Sequence, residues 1–303
     1  MPAPEELRPP KPLLFGNPEG IARGPGTSAL ERCIGDSLIA LWSRLGRPPS
    51  SAASRIQVEI LRTIPRAILD DLASRGMGIA NTRVLDLGAG LGGLSQEINE
   101  RGGLAFSVEP DSEWREIVRE RVSQGGVARV VGAVGEQLPF QDASFDLVIS
   151  LQVLEHVSNP EAVFSEVFRV LRPNGHFVLT CDNYLTFREP HYDITWFPLL
   201  PKALGCWYLR LRGRSPDFLK QGITYITPFT VLRCWRRAGF ASDGEEIIYR
   251  RLVEPVHFGW KWRIASSLKS LVDIRNLVRP IVFLKTAKSM FKPGIGVTLR
   301  KPA

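Results

Sequence analysis

Val84-Leu85-Asp86-Leu87-Gly88-Ala89-Gly90-Leu91-Gly92-Gly93 is the stretch whose reading decides the fold. A short apolar run enters a glycine-dense turn, and a helical pattern follows. Glycines let the backbone turn sharply and approach a ligand closely. The helix beyond them opens with free N–H groups. Gly88, Gly90 and Gly93 also satisfy the G-x-G-x-x-G spacing of a nucleotide-binding turn.

Outward from this turn, apolar runs alternate with helical stretches. The alternation predicts strands over 83–87, 105–108, 128–131, 145–150 and 176–181. It predicts helices over 91–101, 112–123 and 160–171. That is the pattern of βαβ units and a parallel sheet, with ligands at the carboxyl ends of the strands. The second strand ends in Val108-Glu109-Pro110-Asp111. Glu109, nineteen positions after Gly90, stands where an acid reaches the ribose hydroxyls of a bound nucleoside. These two features alone suit a nicotinamide dehydrogenase or an S-adenosylmethionine enzyme equally.

The next stretches separate the two. Leu138-Pro139-Phe140-Gln141-Asp142-Ala143-Ser144-Phe145-Asp146 is followed by Leu154-Glu155-His156-Val157 and then by Leu171-Arg172-Pro173-Asn174-Gly175. With the glycine turn and Val108–Asp111, this ordered series resembles the class I S-adenosylmethionine-dependent methyltransferases, and most closely their small-molecule branch. The resemblance spans about residues 80–182, with weaker support from 227–252. It implies an α/β fold: a Rossmann-like, seven-stranded, mostly parallel sheet with helices on both faces and the last strand antiparallel. It implies S-adenosyl-L-methionine as cofactor. Carried over residue by residue, Asp86, Gly88 and Gly90 line the methionine part and Glu109 binds the ribose. Gly135 and Glu136 stand where the adenine is met. The family often has an aspartate two positions before Glu136; here Val134 stands instead.

Around this core the reading gives a loose Pro- and Gly-rich extension over 1–27 and N-terminal helices over 28–80. The first of these is expected over 28–45 and the second over 56–73, kinked or divided at Pro65. The cofactor core runs over 81–182, an acceptor-covering insertion over 183–222, and the core continues over 223–252. A helix starts at Thr227-Pro228 and ends at Gly239, with a strand at 246–252. A basic amphipathic insertion fills 253–293, and a last strand and tail fill 294–303.

A methyl acceptor with a hydroxyl group needs its proton removed. His156 follows the fourth strand, on the ligand side of the sheet, where it is either a general base or a structural part of the site floor. His191, in Glu189-Pro190-His191-Tyr192-Asp193, opens the insertion and could enter from above. His176 is expected at the start of the fifth strand, away from the site, and His257 precedes the basic segment. The adjacent Glu155 and His156 do not have metal-ligand spacing, so no metal is expected. In the insertion, Phe187, Tyr192, Trp196, Phe197, Leu199, Leu200, Trp207 and Tyr208 either line an acceptor pocket or seal the insertion onto the sheet. Arg210, Arg212 and Arg214 follow them as a basic rim.

Composition bounds the remaining readings. The 303 residues are 44% hydrophobic and 23% charged, the balance of a globular chain. The four cysteines (Cys33, Cys181, Cys206, Cys234) lie far apart, which suits a reducing, cytoplasmic setting and excludes a disulfide framework. No apolar run reaches membrane-spanning length, and the start has no signal-peptide pattern. The net charge of +8 is carried by residues 257–303, which hold ten Lys/Arg against Asp273. In 258–292 these charges interleave with apolar residues at helical spacing. That predicts either peripheral contact with an anionic membrane or a stripe packed on the sheet. No nucleic-acid motif is present. The reading is therefore an O-methyltransferase acting on a carbohydrate-containing or glycolipid small molecule. A quinone or isoprenoid C- or O-methyltransferase is the alternative, and a non-catalytic cofactor-binding adaptor the second alternative.

Overall fold

The computed structural model describes residues 27–123, 127–242 and 294–303. The expected strand over 246–252, the amphipathic segment 258–292, His257 and nearly all of the 1–27 extension lie outside the described residues.

The described residues open with α1 (Ala29–Arg44), started by a reciprocal capping box between Ser28 and Glu31. Leu30, Ile34 and Leu38 form its buried face. The next helical region divides into α2 (Ala53–Leu61) and α3 (Thr63–Ser74). The break is at Arg62, in the left-handed region at φ 53°, and not at the expected Pro65. Pro65 sits in the first turn of α3, where a missing N–H costs no helical hydrogen bond.

The sheet order is β3-β2-β1-β4-β5-β9-β8. The parallel strands are β1 (Arg83–Leu87), β2 (Leu104–Val108), the two-residue β3 (Val130–Val131), β4 (Phe145–Leu151) and β5 (Leu171–Asp182). They alternate with α4 (Gly93–Glu100), α5 (Ser112–Ser123) and α6 (Pro160–Val170). β9 (Gly294–Arg300) pairs antiparallel with β5, Thr180 opposite Gly296, as the resemblance implies for the last strand. β8, described over Ala241–Ser242, pairs antiparallel with β9. β5 starts earlier than 176, because Leu171 already pairs with Phe145 across a bulge in the ladder. His176 lies opposite Arg300, at the amino-terminal end of the long parallel run.

The central strands are buried on both faces, as a parallel sheet between helices requires. Leu85, Leu87, Val148, Phe177 and Leu179 pack under α6 with Phe164 and Val167. Val84, Ile149 and Val178 pack under α3 and α4.

The insertion is a folded unit with its own core. It holds the small hairpin of β6 (Arg188–Glu189) and β7 (Ile194–Thr195), then α7 (Lys202–Leu211) and α8 (Asp217–Gly222). Tyr192 and Trp196, both essentially inaccessible, pack with Tyr184, Leu209, Leu219 and Leu45. The chain returns to the sheet through α9 (Pro228–Ala238). The Thr227 side chain caps that helix by accepting from Thr230 N, and Gly239 ends it at φ 90°.

Candidate active site

The glycine turn connects β1 to α4. Gly88, Gly90 and Gly92 all have left-handed φ values, 74°, 55° and 78°. At Gly88 a Cβ would also meet Val153 Cγ2 at 2.3 Å, so the turn after β4 closes directly over the turn after β1. A Cβ added at Gly90 would meet nothing among the described residues nearer than the Trp114 ring at 3.8 Å, which leaves its face open to a ligand.

Beneath the turn, Asp86 is buried. Its Oδ2 accepts from the Ser95 hydroxyl at 2.6 Å, and Ser95 in turn meets the Ser107 hydroxyl at 2.7 Å. Burial pushes the Asp86 carboxyl up to about 7, against the Ser95 hydrogen bond. Glu109, at the end of β2, is also buried. Its Oε2 accepts from Gly90 N at 2.8 Å and its Oε1 from Asp111 N at 3.0 Å. Desolvation raises its pKa, opposed by those two amides. Glu109 thus ties the glycine turn to the end of β2, with lone pairs remaining for hydroxyls. Gly135 is buried under Val163 and Leu87. Glu136 already has work elsewhere: its Oε1 accepts from Ser158 N at 2.8 Å and Asn159 N at 3.2 Å, fixing the entry to α6. Val134 beside it is 48% exposed.

The structure brings the two expected histidines together. His156 ends a single 3-10 turn after β4, and His191 comes from the insertion. Their Nε2 atoms are 3.4 Å apart, and the rings meet edge to face. His156 Nδ1 donates to the Gly222 carbonyl at 2.7 Å, which leaves the Nε2 lone pair of a neutral ring facing His191. His191 Nδ1 lies 3.0 Å from Glu189 Oε1, and Tyr184 OH donates to that same oxygen. The other Glu189 oxygen accepts from Tyr192 N at 2.6 Å.

The two rings have opposite tendencies. Burial lowers the pKa of His191, but its hydrogen bond to Glu189 and the surrounding carboxylates outweigh that and carry it up to about 9. Desolvation and the charge of His191 push His156 down to about 4, although the residue as a whole is exposed. At neutral pH the pair carries one positive charge, on His191.

Glu189 is fully buried, and sequence reasoning gave it no role. Nor did it find Asp182, whose Oδ2 is 3.8 Å from His191 Nε2. Glu155 is fully buried as well. Its Oε1 accepts from Asp182 N, its Oε2 has no hydrogen-bond partner among the described residues, and burial raises both Glu155 and Asp182. One atom each of Glu155, His156 and His191 lie within 4.8 Å of one another, a set chemically able to hold a metal ion. Spacing along the chain could not reveal it, because the members come from two segments.

The aromatic residues of the insertion divide. Tyr192 and Trp196 seal its core, with Leu200 and Tyr208 packed against them. Phe187, Phe197, Leu199 and Trp207 are exposed instead of lining a closed pocket. Of the basic rim, Arg214 donates to the Gly46 carbonyl at 2.5 Å and holds the insertion to the end of α1. Arg210 and Arg212 stay exposed.

A family model described as a methyltransferase domain matches residues 85–179. The chain is 32% identical over 192 residues to a ubiquinone/menaquinone biosynthesis C-methyltransferase of Xylella fastidiosa, covering 59% of this chain and 74% of that protein. It is 30% identical over 119 residues to a sterol 4-C-methyltransferase of Caenorhabditis elegans, 37% of this chain and 36% of that one. It therefore spans about a third of the sterol protein and about three quarters of the quinone protein. Among solved structures, a candidate sarcosine dimethylglycine methyltransferase from Galdieria sulphuraria shares the fold. Its TM-score is 0.51 at 16% identity, over 82% of this chain and 88% of that one.

Proposed function

The chain belongs to the class I S-adenosylmethionine-dependent methyltransferases, and from that premise we propose that it methylates a hydroxyl group of a small carbohydrate-containing or glycolipid acceptor. The residues present fit the cofactor. The open face at Gly90 and the buried Glu109 carboxylate behind it form a cradle for a ribose and its attached chain. Asp86, Gly88 and Gly90 would hold the methionine part, Glu109 the ribose hydroxyls, and Gly135 and Glu136 the adenine. Since Oε1 of Glu136 is committed to two amides, only its other oxygen is left for a base. S-adenosylmethionine supplies a methyl group activated on a sulfonium.

The observation that carries the reading is the His156–His191 pair on the ligand side of the sheet. His156 is the proton acceptor: its Nε2 is unprotonated, and the Gly222 carbonyl fixes the tautomer. A weak base suffices, because the hydroxyl proton becomes strongly acidic as the new C–O bond forms. His191, charged and anchored by Glu189, is unsuited to take a proton at neutral pH. It positions His156 and stabilises negative charge on the acceptor oxygen. The His191 Nε2–H rests toward the His156 lone pair until the acceptor hydroxyl enters and takes that place.

What supports this acceptor class is the contrast between the polar floor and the apolar residues of the insertion. Hydroxyls meet the histidines and Asp182, and an apolar part meets Phe218, whose ring lies against both imidazoles. Methyl transfer from radiolabelled cofactor into cell extracts, with mass analysis of the product, tests it. A labelled sugar or glycolipid ether supports the reading, and a product methylated on carbon or nitrogen rejects it. A second reading, a quinone or isoprenoid acceptor, is favoured by the likeness to the Xylella protein. The basic segment 258–292 is proposed to contact a membrane in either case.

A further inference from the structure

α7 carries two different faces. Gly205, Cys206 and Leu209 are turned into the insertion core. Gly205 lies so close to Trp196 that a Cβ there would meet the indole at 2.7 Å, so the helix cannot rotate to hide its other side. That other side holds Leu204, Trp207 and Leu211 at i, i+3 and i+7, one stripe of a helix. They are 56%, 61% and 64% exposed. Phe197 and Leu199, in the lead-in to the helix, are 63% and 46% exposed. Single exposed apolar residues are ordinary, but a stripe of this kind marks a contact surface.

The charges around the stripe have one sign. Between Ile194 and Pro216 the chain holds Lys202, Arg210, Arg212 and Arg214 and no acid. Lys202, Arg210 and Arg212 are exposed, and Arg210 and Arg212 form no ion pair with a described residue. A helix with an apolar face, an interfacial tryptophan and flanking cations is suited to the headgroup boundary of an anionic bilayer. It is too short and too charged to enter the bilayer as a span, and no helix among the described residues is long and apolar enough to cross a membrane. We infer that α7 and its lead-in form a membrane-docking face for anionic lipid, which seats the acceptor-covering insertion on the bilayer. The residues of this surface are distinct in sequence from segment 258–292. It does not require the proposed acceptor, since docking and acceptor chemistry are measured separately.

The test is sedimentation of the full chain at low salt with vesicles of phosphatidylglycerol and phosphatidylcholine, against pure phosphatidylcholine. Binding to the anionic vesicles alone is expected. Arg210→Gln with Arg212→Gln should weaken it by about fivefold per residue. Trp207→Gln with Leu211→Gln should weaken it at least as much. All of these positions are exposed, so thermal melting and cofactor binding should stay unchanged. Arg275→Gln with Arg279→Gln is the control for the other basic segment. The inference is overturned if the full chain ignores anionic vesicles, or if binding is lost only in the Arg275/Arg279 variant. It is equally overturned if Trp207→Gln with Leu211→Gln instead dissolves a dimer seen by light scattering, which makes a second copy the occupant. A lower melting temperature for that variant also overturns it, since the face would then be packed within the fold.

Discussion

His156 and His191 lie thirty-five positions apart, yet their Nε2 atoms are separated by only 3.4 Å, one ring held by a carbonyl and the other by a carboxylate. The two supports are what make the rings different. A carbonyl can only accept, so His156 keeps its proton on Nδ1 and presents a lone pair. The buried Glu189 keeps His191 charged. Removing the lone pair by His156→Ala should lower turnover by roughly 10²–10⁴-fold, the range for a general base, with cofactor affinity unchanged. His191→Ala should cost less, because it removes a positioning charge and not the proton acceptor. Single-turnover rates for both variants decide the matter. Equal, near-normal rates would show that proximity alone drives transfer.

The charge on His191 also has a signature in stability. Its folded-state pKa, about 9, lies above the roughly 6.5 of an unfolded imidazole. A raised pKa means the folded state holds the proton more tightly. The resulting stabilisation is complete below about 6.5 and is lost as the pH rises through about 9. The groups that face the ring are Glu189, Asp182, Glu155, His156 and Tyr184. The gap in unfolding free energy between the native chain and His191→Gln, taken from urea titrations, should therefore be largest near pH 6 and shrink towards pH 10. Titrations of groups that do not face the ring cancel in this difference. A gap that does not change over that range would mean that His191 is neutral in the folded protein.

Glu109 carries two loads. It accepts from Gly90 N and Asp111 N, and it is proposed to hold the ribose hydroxyls. Glu109→Ala should weaken cofactor binding by roughly 1–3 kcal/mol, the cost of leaving a charge-assisted bond unmade. Calorimetry with S-adenosylhomocysteine measures this without turnover. Unchanged affinity would reject the ribose assignment.

Gly88→Ala tests the contact between the two turns. The added Cβ meets Val153 Cγ2 at 2.3 Å, on a backbone at φ 74°. Left-handed strain and overpacking together should cost at least about 2 kcal/mol of stability. Adding Val153→Ala should restore only part of it, since shortening the side chain relieves the clash but not the backbone. Full recovery in the double variant would show that φ imposes no cost here.

These cases also show where sequence reading succeeds. The glycine turn, the place of Glu109 at a strand end, the Thr227 cap and the strand–helix alternation are legible because each depends on residues close in the chain or on a periodic pattern. Gly88 and Val153 meet only because β1 and β4 are neighbours in the sheet. The His156–His191 pair exists because the insertion folds back over the end of β4. Each histidine was visible singly, but Glu189 and Asp182, which set their charges, had no signal beyond being acids in a loop and at a strand end. Pro65 was misleading for a related reason. A proline can open a helix as readily as end one, and the neighbouring turn at Arg62 decides which. The insertion's aromatics have one composition, but their division into a sealed core and an exposed face depends on how α7 is rotated against Trp196.

The shared proton gives one further expectation. Two imidazole nitrogens 3.4 Å apart match the separation of two ligands on a tetrahedral zinc ion, given metal–nitrogen bonds of about 2.0–2.1 Å. Their Nδ1 atoms are already anchored by a carbonyl and a carboxylate, as metal-bound histidines generally are. The same geometry can therefore hold a proton or a metal, and the two cannot coexist on the Nε2 atoms. If the proton is the working occupant, dialysis against a chelator should leave turnover unchanged. Excess zinc should then inhibit, because it takes the His156 lone pair that receives the acceptor's proton. The inhibition should weaken as the pH falls and protons compete for the pair. His191→Ala should lower the sensitivity to zinc by removing one ligand. Loss of turnover on chelation, with recovery on adding zinc, would reverse the assignment and make the metal, not the His156 lone pair, the group that activates the acceptor.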